Sequence, residues 1–424
     1  MKRFLLLIVI CCFALELFAQ TAKEEISADI RRSASNYYAY PTPTGTLTAP
    51  PKGYKPFYLS HYARHGSRFL INSNDYEKPL NLMREADQNG VLTPLGKQVL
   101  NVLDSTARMA KQRYGELTPL GGRQHRGIAE RMYKNYPEVF QGEAEIDARS
   151  STTVRCILSM TSECLKLQAL NPKLKIKNDA SNHDMYYMAT QGGEEFTKIR
   201  RSEEITEAAD KFLKEHVHPE RLVNSLFNNR DYVKWKINEN KLMTDLFKLA
   251  ANMQSLDTDL ELYSIFTEDE CYNLWLAENY DWYLSYGPSP LNKGKIPFSE
   301  ANLLKNFLNT ADTCIVKKEN SATLRFGHEV CLMPFACLLE LGDCGYQTND
   351  PDKLADVWRN YQIFPMASNV QLIFFRKKGS DDILVKAMLN EREVTLPVKS
   401  DIAPYYHWKD VENYYRNKLA AFQK

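Results

Sequence analysis

Phe57-Tyr58-Leu59-Ser60-His61-Tyr62-Ala63-Arg64-His65-Gly66-Ser67-Arg68 is the stretch whose reading decides the fold. The first seven residues form an apolar, aromatic run of strand length, and Arg64-His65-Gly66 ends it. The pattern predicts a buried strand that delivers a loop to the carboxyl edge of a sheet. In that loop two arginines flank a histidine. Guanidinium forks match phosphate oxygens two at a time. A neutral imidazole nitrogen can attack phosphorus and carry the phosphoryl group covalently, and Gly66 lets the backbone turn tightly beside an anion. Taken alone, the stretch reads equally well as a basic surface loop with a bystander histidine, so the rest of the chain must decide.

Two other segments supply related chemistry. In Ala148-Arg149-Ser150-Ser151-Thr152-Thr153-Val154-Arg155, Arg149 is expected at a strand end and Arg155 in the first turns of the next helix, whose positive dipole end favours an anion. Isolated arginines in such a place are usually solvated or ion-paired. Ala322-Thr323-Leu324-Arg325-Phe326-Gly327 is a further strand candidate, followed by His328-Glu329 and an apolar helical run over 330–341. A carboxylic acid there could protonate a departing alkoxide and then activate water, with His328 as a hydrogen-bonding partner. Otherwise the pair is a helix cap beside a satisfied histidine.

Working outward, Leu92-Thr93-Pro94-Leu95-Gly96 and Leu117-Thr118-Pro119-Leu120-Gly121 read as two helix starts with Thr at the N-cap and Pro at the first helical position. A short strand is expected over 144–148, a helix over 150–170, and strands over 370–375 and 383–388, the last hairpinned to 393–396. Between about 180 and 300 the pattern is helical and rich in charged and aromatic residues. The fold class this implies is α/β, a central mainly parallel sheet flanked by helices, with an inserted α-helical cap. The expected division is a discontinuous α/β domain over 57–175 and 301–424, a cap over 176–300, and an extended N-terminal arm over 20–56, where prolines and serines are frequent.

The chain has 424 residues, 44% hydrophobic and 25% charged, an ordinary globular composition. Lys+Arg 54 against Asp+Glu 53 argues against a nucleic-acid binder, so phosphate attraction must be local. Lys2 and Arg3, an apolar run over 4–13, and Ala19 before Gln20 predict a secretory signal peptide over 1–19 and an exported protein, periplasmic or extracellular. The run is too short for a stable membrane anchor, which needs about 20 apolar residues. Cleavage would remove Lys2, Arg3 and Glu16 and leave the chain formally neutral. The remaining cysteines, at 156, 164, 271, 314, 331, 337 and 344, contain no C-x-x-C pair. Oligomeric state carries no sequence signal.

The three chemical segments together resemble the histidine acid phosphatases, the branch of the histidine phosphatase superfamily that includes phytases and multiple inositol polyphosphate phosphatases. The family's R-H-G-x-R loop, its R-S-x-x-x-x-R segment and its H-D or H-A-E motif correspond to residues 64–68, 149–155 and 328–329. The L-T-P-x-G segment at 117–121, followed by Gln124, also looks like the family's. The resemblance implies a phosphoglycerate mutase-like fold and a phosphomonoesterase with no metal or cofactor, acting on a small phosphate ester such as phytate. His65 would be the nucleophile, Arg64, Arg68 and Arg155 the phosphate clamp with Arg149 beside them, His328 an assistant and Glu329 the proton donor.

Leu70 stands where the family usually has proline, Cys156 where threonine is common, and Glu329 follows His328 without a spacer. Three alternatives stand beside this reading: a broad acid phosphatase, a phosphoryl mutase, and a phosphate-ester binding protein that does not turn over. The literal His183-Asp184 dipeptide follows a turn-forming run rather than a strand, and His125 reads as a helix-surface histidine.

Overall fold

The computed structural model describes residues 20–189, 192–317 and 320–422, and the expected signal peptide lies outside them. Eight strands form one sheet: β1 (Tyr54–Arg64), β2 (Glu145–Ser150), β3 (Lys175–Asp179), β4 (Ser321–Gly327), β5 (Asn369–Lys377), β6 (Ile383–Leu389), β7 (Arg392–Val394) and β8 (Tyr406–His407). Their order is β3-β2-β4-β1-β5-β6-β7, with β8 paired to β6. The first four strands in this order run parallel, and β5 to β8 continue as antiparallel pairs. The β6–β7 turn places Asn390 and Glu391 at positive φ, as a tight hairpin of this hand requires.

β1 is buried on both faces, which is why it reads as a nearly continuous apolar run. Tyr58 and Tyr62 pack against Leu303 and Phe307 of the helix Ala301–Lys317 and against Leu332 and Phe335 of Glu329–Leu338. Leu59 and Ala63 face the other way, onto Ile128 and Met132 of Pro119–Asn135 and Met160 of Val154–Leu170. Full burial of each such large side chain contributes about 1.5–3 kcal/mol. Thr93 and Thr118 cap their helices by accepting from the amides of Gly96 and Gly121.

A third core is helical and is assembled from more of the chain than the cap expected over 176–300. It joins the helices Asn74–Gln88, Pro94–Ala110, Glu239–Met253 and Glu268–Tyr286 to the N-terminal segment. Residues 74–110 thus pack away from the sheet although they lie within the expected α/β stretch. β3 crosses the expected boundary at 175–176. Its polar composition, Lys-Ile-Lys-Asn-Asp, is that of an exposed edge strand and hides the alternation by which strands are read. The helix expected from Ser150 begins at Val154, because β2 runs on to Ser150.

The extended-arm expectation is corrected over 22–37. Thr21 and Glu24 form a capping box for the helix Ala22–Ala28, and Ile30–Tyr37 follows as a 3₁₀ segment with Ser33, Ala34, Ser35 and Asn36 buried. The prolines that suggested an arm begin only at Pro41, and residues 38–51 are without helix or strand. Glu25 ties this segment down, accepting from Arg32, Arg359, Tyr361 and Gln362. No helix of the described residues is long and apolar enough to cross a membrane, and the seven cysteines are free thiols.

Removing Glu25 leaves Arg359, whose side chain is only 8% exposed, without its carboxylate. We expect Glu25→Ala to lower stability by about 3 kcal/mol, read as a fall in the urea midpoint, with early proteolysis between residues 20 and 50.

Candidate active site

Three neighbouring strands end at one level. The register pairs Arg64 of β1 with Gly327 of β4, and Ser150 of β2 with Phe326 of β4. Parallel strands in adjacent positions therefore release His65, Ser151 and His328 side by side at the carboxyl edge, where α/β sheets place their sites. The His65 and His328 rings lie 5.7 Å apart.

Helix contacts clamp the loop after β1. Ser67 bonds Gln124 through its amide (2.8 Å) and its hydroxyl (3.0 Å), and its carbonyl accepts from the Thr118 amide. The Gly66 amide donates to Ser159 Oγ at 3.1 Å. Gly66 and Gly121 pack backbone on backbone, and a methyl group on either would overlap the other strand of chain. At Leu70 the amide donates to Tyr76 Oη (2.8 Å), a bond proline could not make, so a hydrogen bond holds the loop where the family's ring would.

His65 is fully buried. Its Nδ1 lies 2.9 Å from the Gly66 carbonyl, which can only accept, so Nδ1 carries the proton and Nε2 presents its lone pair to the cleft. Burial, with Arg64 and Arg155 nearby, holds the imidazole well below its ordinary value against the pull of Glu329. His328 behaves alike: burial brings it down to about 4. Its Nδ1 accepts from Arg155 (3.4 Å), so its Nε2–H is directed at Ser151 Oγ (3.2 Å).

Arg64 and Arg68 pair with Glu329, and Arg155 stands alongside through its contact with His328. The carboxylate lies 3.2 Å from Arg64 Nε, 3.4 Å from His65 Nε2 and 3.8 Å from Arg68 Nη2. Burial alone would raise its pKa, but Arg64, then His65 and Arg68, outweigh that and hold it well below the carboxylate range. Glu329 opens the helix Glu329–Leu338 with His328 at the N-cap, so direct adjacency brings the acid to the cradle without a spacer. Three guanidinium groups face one carboxylate, an excess of two positive charges, the magnitude of a phosphate monoester dianion.

Buried Arg64 Nη2 and Arg155 Nε have no hydrogen-bond partner among the described residues. Unsatisfied buried donors in a native structure call for an explanation, and an anion held beside His65 would supply one. His65, His328 and Glu329 also stand close enough to hold a metal ion, yet the guanidinium ring around them favours an anion.

Arg149 is not part of this group. It turns to the opposite face of β2 and pairs with Asp147 (2.9 Å), Asp179 (3.0 Å) and Asp184 (3.6 Å). Side chains alternate along a strand, and the odd position faces away from the cradle. His183 is exposed in this same acidic corner. His125 is fully buried rather than on a surface, with its Nδ1 2.9 Å from Glu163 and His61 on the far side of that carboxyl. Cys156 donates to the Gly327 carbonyl at 3.2 Å, and burial pushes its thiol up to about 12, so it stays neutral beside the histidines.

The sequence reading missed Asn36 and Tyr37. Arg64 Nη1 donates to the Asn36 carbonyl, and Arg68 lies over the Tyr37 ring at 5.4 Å. Ser159 was missed as well, although its position one turn after Arg155 is a legible signal.

Gly121→Ala is expected to cost about 1–3 kcal/mol and to displace the His65 loop with it. The check is a urea midpoint measured alongside phosphate binding, and a change in stability without a change in binding would separate the two.

The sequence model described as "Histidine phosphatase superfamily (branch 2)" matches residues 19–390. A search of the curated proteins finds no match. Among solved structures, the fold resembles the Bifidobacterium longum multiple inositol polyphosphate phosphatase in complex with inositol hexasulfate (TM-score 0.77, 19% identity, 90% of this chain and 97% of that one). Its complex with phosphate is similar at TM-score 0.77 and 20% identity, over 93% and 98%. The phytase from D. castellii follows at TM-score 0.68 and 15% identity, over 92% and 86%. With three strand ends meeting at a guanidinium-lined histidine and a family match over nearly the whole length, this chain belongs to branch 2 of the histidine phosphatase superfamily.

Proposed function

We propose that this protein is an exported phosphomonoesterase that works through a phosphohistidine. The observation that carries the reading is the convergence of His65 Nε2, three guanidinium groups and Glu329 at one point. In the first step Nε2 attacks phosphorus, the P–O bond to the alcohol breaks, and Glu329 gives its proton to the departing oxygen. In the second, water attacks the phosphorus, its proton goes to the Glu329 carboxylate, and the P–N bond breaks to free His65. Arg64, Arg68 and Arg155 hold the equatorial oxygens, and His328 orients Arg155.

Glu329 is ionised before substrate arrives. An incoming dianion takes over the guanidinium contacts and sets a like charge beside the carboxylate, which raises its pKa toward the proton-bearing form a donor needs. The signal-like residues 1–19 support export.

For the substrate, inositol polyphosphates have the support of the fold likeness to phosphatases of that name. One observation favours the broader reading, phosphomonoesters of other alcohols. A cavity of about 520 Å³ reaches Tyr37 beside the cradle, and its wall carries Asp210, Asp245, Glu278 and Asp281 against Lys248. Further phosphates would meet like charge there.

Release of inorganic phosphate from phytate and from p-nitrophenyl phosphate tests the function. His65→Ala should reduce it by at least about 10³-fold and Arg155→Ala by about 10²-fold, whereas Arg149→Ala should stay within about twofold of wild type. Tight phosphate-ester binding without turnover would instead support a binding protein.

Glu329→Gln should slow alkyl phosphates by about 10²–10⁴-fold and p-nitrophenyl phosphate far less, since nitrophenolate leaves without a proton. Because His65 must be neutral to attack and its pKa lies below 6.5, the acid limb of kcat/KM should fall below pH 6.5.

A further inference from the structure

On the side of the sheet covered by the helices Pro119–Asn135 and Val154–Leu170 lies a polar cluster that the proposed reaction does not use. His125 Nδ1 stands 2.9 Å from Glu163 Oε2, and His61 Nδ1 stands 3.9 Å from Glu163 Oε1. The Phe326 ring lies 5.6 Å from that of His61 and 5.7 Å from that of His125. All four side chains are fully buried, and Phe326 belongs to the apolar core of Leu59, Ala63, Ile128 and Met160.

Such a cluster is a costly way to fill a core. Neither ring nitrogen of His61 has a hydrogen-bond partner among the described residues, nor do His125 Nε2 and Glu163 Oε1. A buried polar group left in that state costs about 1–3 kcal/mol. Burial pushes the Glu163 carboxyl up against the pull of His125, and it holds His61 well below its ordinary value. Apolar side chains of similar volume would fill the space at less cost, as Ile128, Met132, Met160 and Leu167 do on the same two helices.

The cluster is instead distinguished by where its members come from, because each of the four elements that serve the cradle contributes one. His61 of β1 lies four residues before His65, and Phe326 of β4 two residues before His328. His125 adjoins Gln124, which holds Ser67 of the His65 loop at 2.8 and 3.0 Å. Glu163 continues the row Arg155, Ser159, Glu163 at four-residue spacing along one helix face. In that row Ser159 accepts from the Gly66 amide at 3.1 Å and donates to the Arg155 carbonyl at 2.8 Å. The bond between His125 and Glu163 therefore ties together the two helices that hold the nucleophile's loop and Arg155.

We propose that His61, His125 and Glu163 are positioning residues, whose hydrogen bond and packing against Phe326 set the placement of Arg155 and the His65 loop for attack on phosphorus. The inference rests on the phosphomonoesterase reading and concerns the alignment of that same site. None of the three touches the substrate; their effect passes through Gln124, Ser159 and Arg155. It falls on the rate more than on phosphate binding, since a displacement of about 1 Å can cost about 10²-fold in rate.

The test is a variant that keeps the fold and removes the bond. In the His125→Leu, Glu163→Met double variant both partners become apolar together, which for a buried polar pair is near neutral or stabilising, so the urea midpoint should match or exceed that of wild type. Its kcat should nevertheless fall by about 10–10²-fold, with KM within about threefold and with equal losses for ethyl phosphate and p-nitrophenyl phosphate. Glu163→Gln, whose amide oxygen can still accept from His125 Nδ1, should stay within about threefold of wild type. A second reading does not depend on the apolar pair: Glu163→Ala, measured with and without Ser159→Ala, should give losses in kcat that fall short of additive by at least about threefold. Wild-type kcat in the folded double variant, a loss confined to KM, a Glu163→Gln enzyme as slow as the double variant, or full additivity with Ser159→Ala overturns the proposal. Wild-type turnover of p-nitrophenyl phosphate reads the phosphomonoesterase separately: turnover with an unimpaired double variant removes the positioning role alone, and no turnover in folded wild type removes both.

Discussion

Arg64 is a permanent charge with no exposure to solvent, and the site is organised around keeping it there. Burial brings its pKa down to about 10, against the pull of Glu329. One end of its guanidinium is satisfied by the carbonyls of Asn36 and Phe364, from the N-terminal segment and the chain just before β5. The other end is left to Glu329. A buried cation held in this way cannot relax to water, so its field stays fixed for whatever anion enters. Two peripheral pieces of chain are thereby fastened to the end of β1.

Glu329 has two parts in such an arrangement. It neutralises some of the cationic excess in the free protein, which keeps the cradle from repelling itself apart. In the proposed mechanism it is also the group that exchanges a proton with the leaving oxygen. Both follow from its position at the first turn of a helix that starts one residue beyond β4. The depressed imidazoles of His65 and His328 belong to the same balance, since an additional charge on either would stand among guanidinium groups.

The N-terminal segment shapes the rim of the cradle. Had residues 22–37 been an arm on the surface, the cleft would end at the arginines. Folded as a capped helix and a 3₁₀ turn, they carry Asn36 and Tyr37 to the rim and close one side of an acidic cavity.

Much of the fold was legible because β1 is buried on both faces and ends abruptly at Arg64-His65-Gly66, and because Gly327-His328-Glu329 repeats the same strand-to-helix step. Residue type alone marked His65, Arg64, Arg68, Arg155, His328 and Glu329 as chemically able to handle a phosphate. It could not separate Arg149 from Arg155: Arg149 leaves β2 by the face turned away from the cradle, whereas Arg155 stands in the first turn of the next helix. Nor could it see β3 behind its lysines, the helices of 74–110 packed into the cap, or Asn36 against Arg64. Local sequence determines what each segment is able to become and which groups it carries. Which groups meet is decided by strand register and by contacts between residues hundreds of positions apart, and those are properties of the packed chain alone.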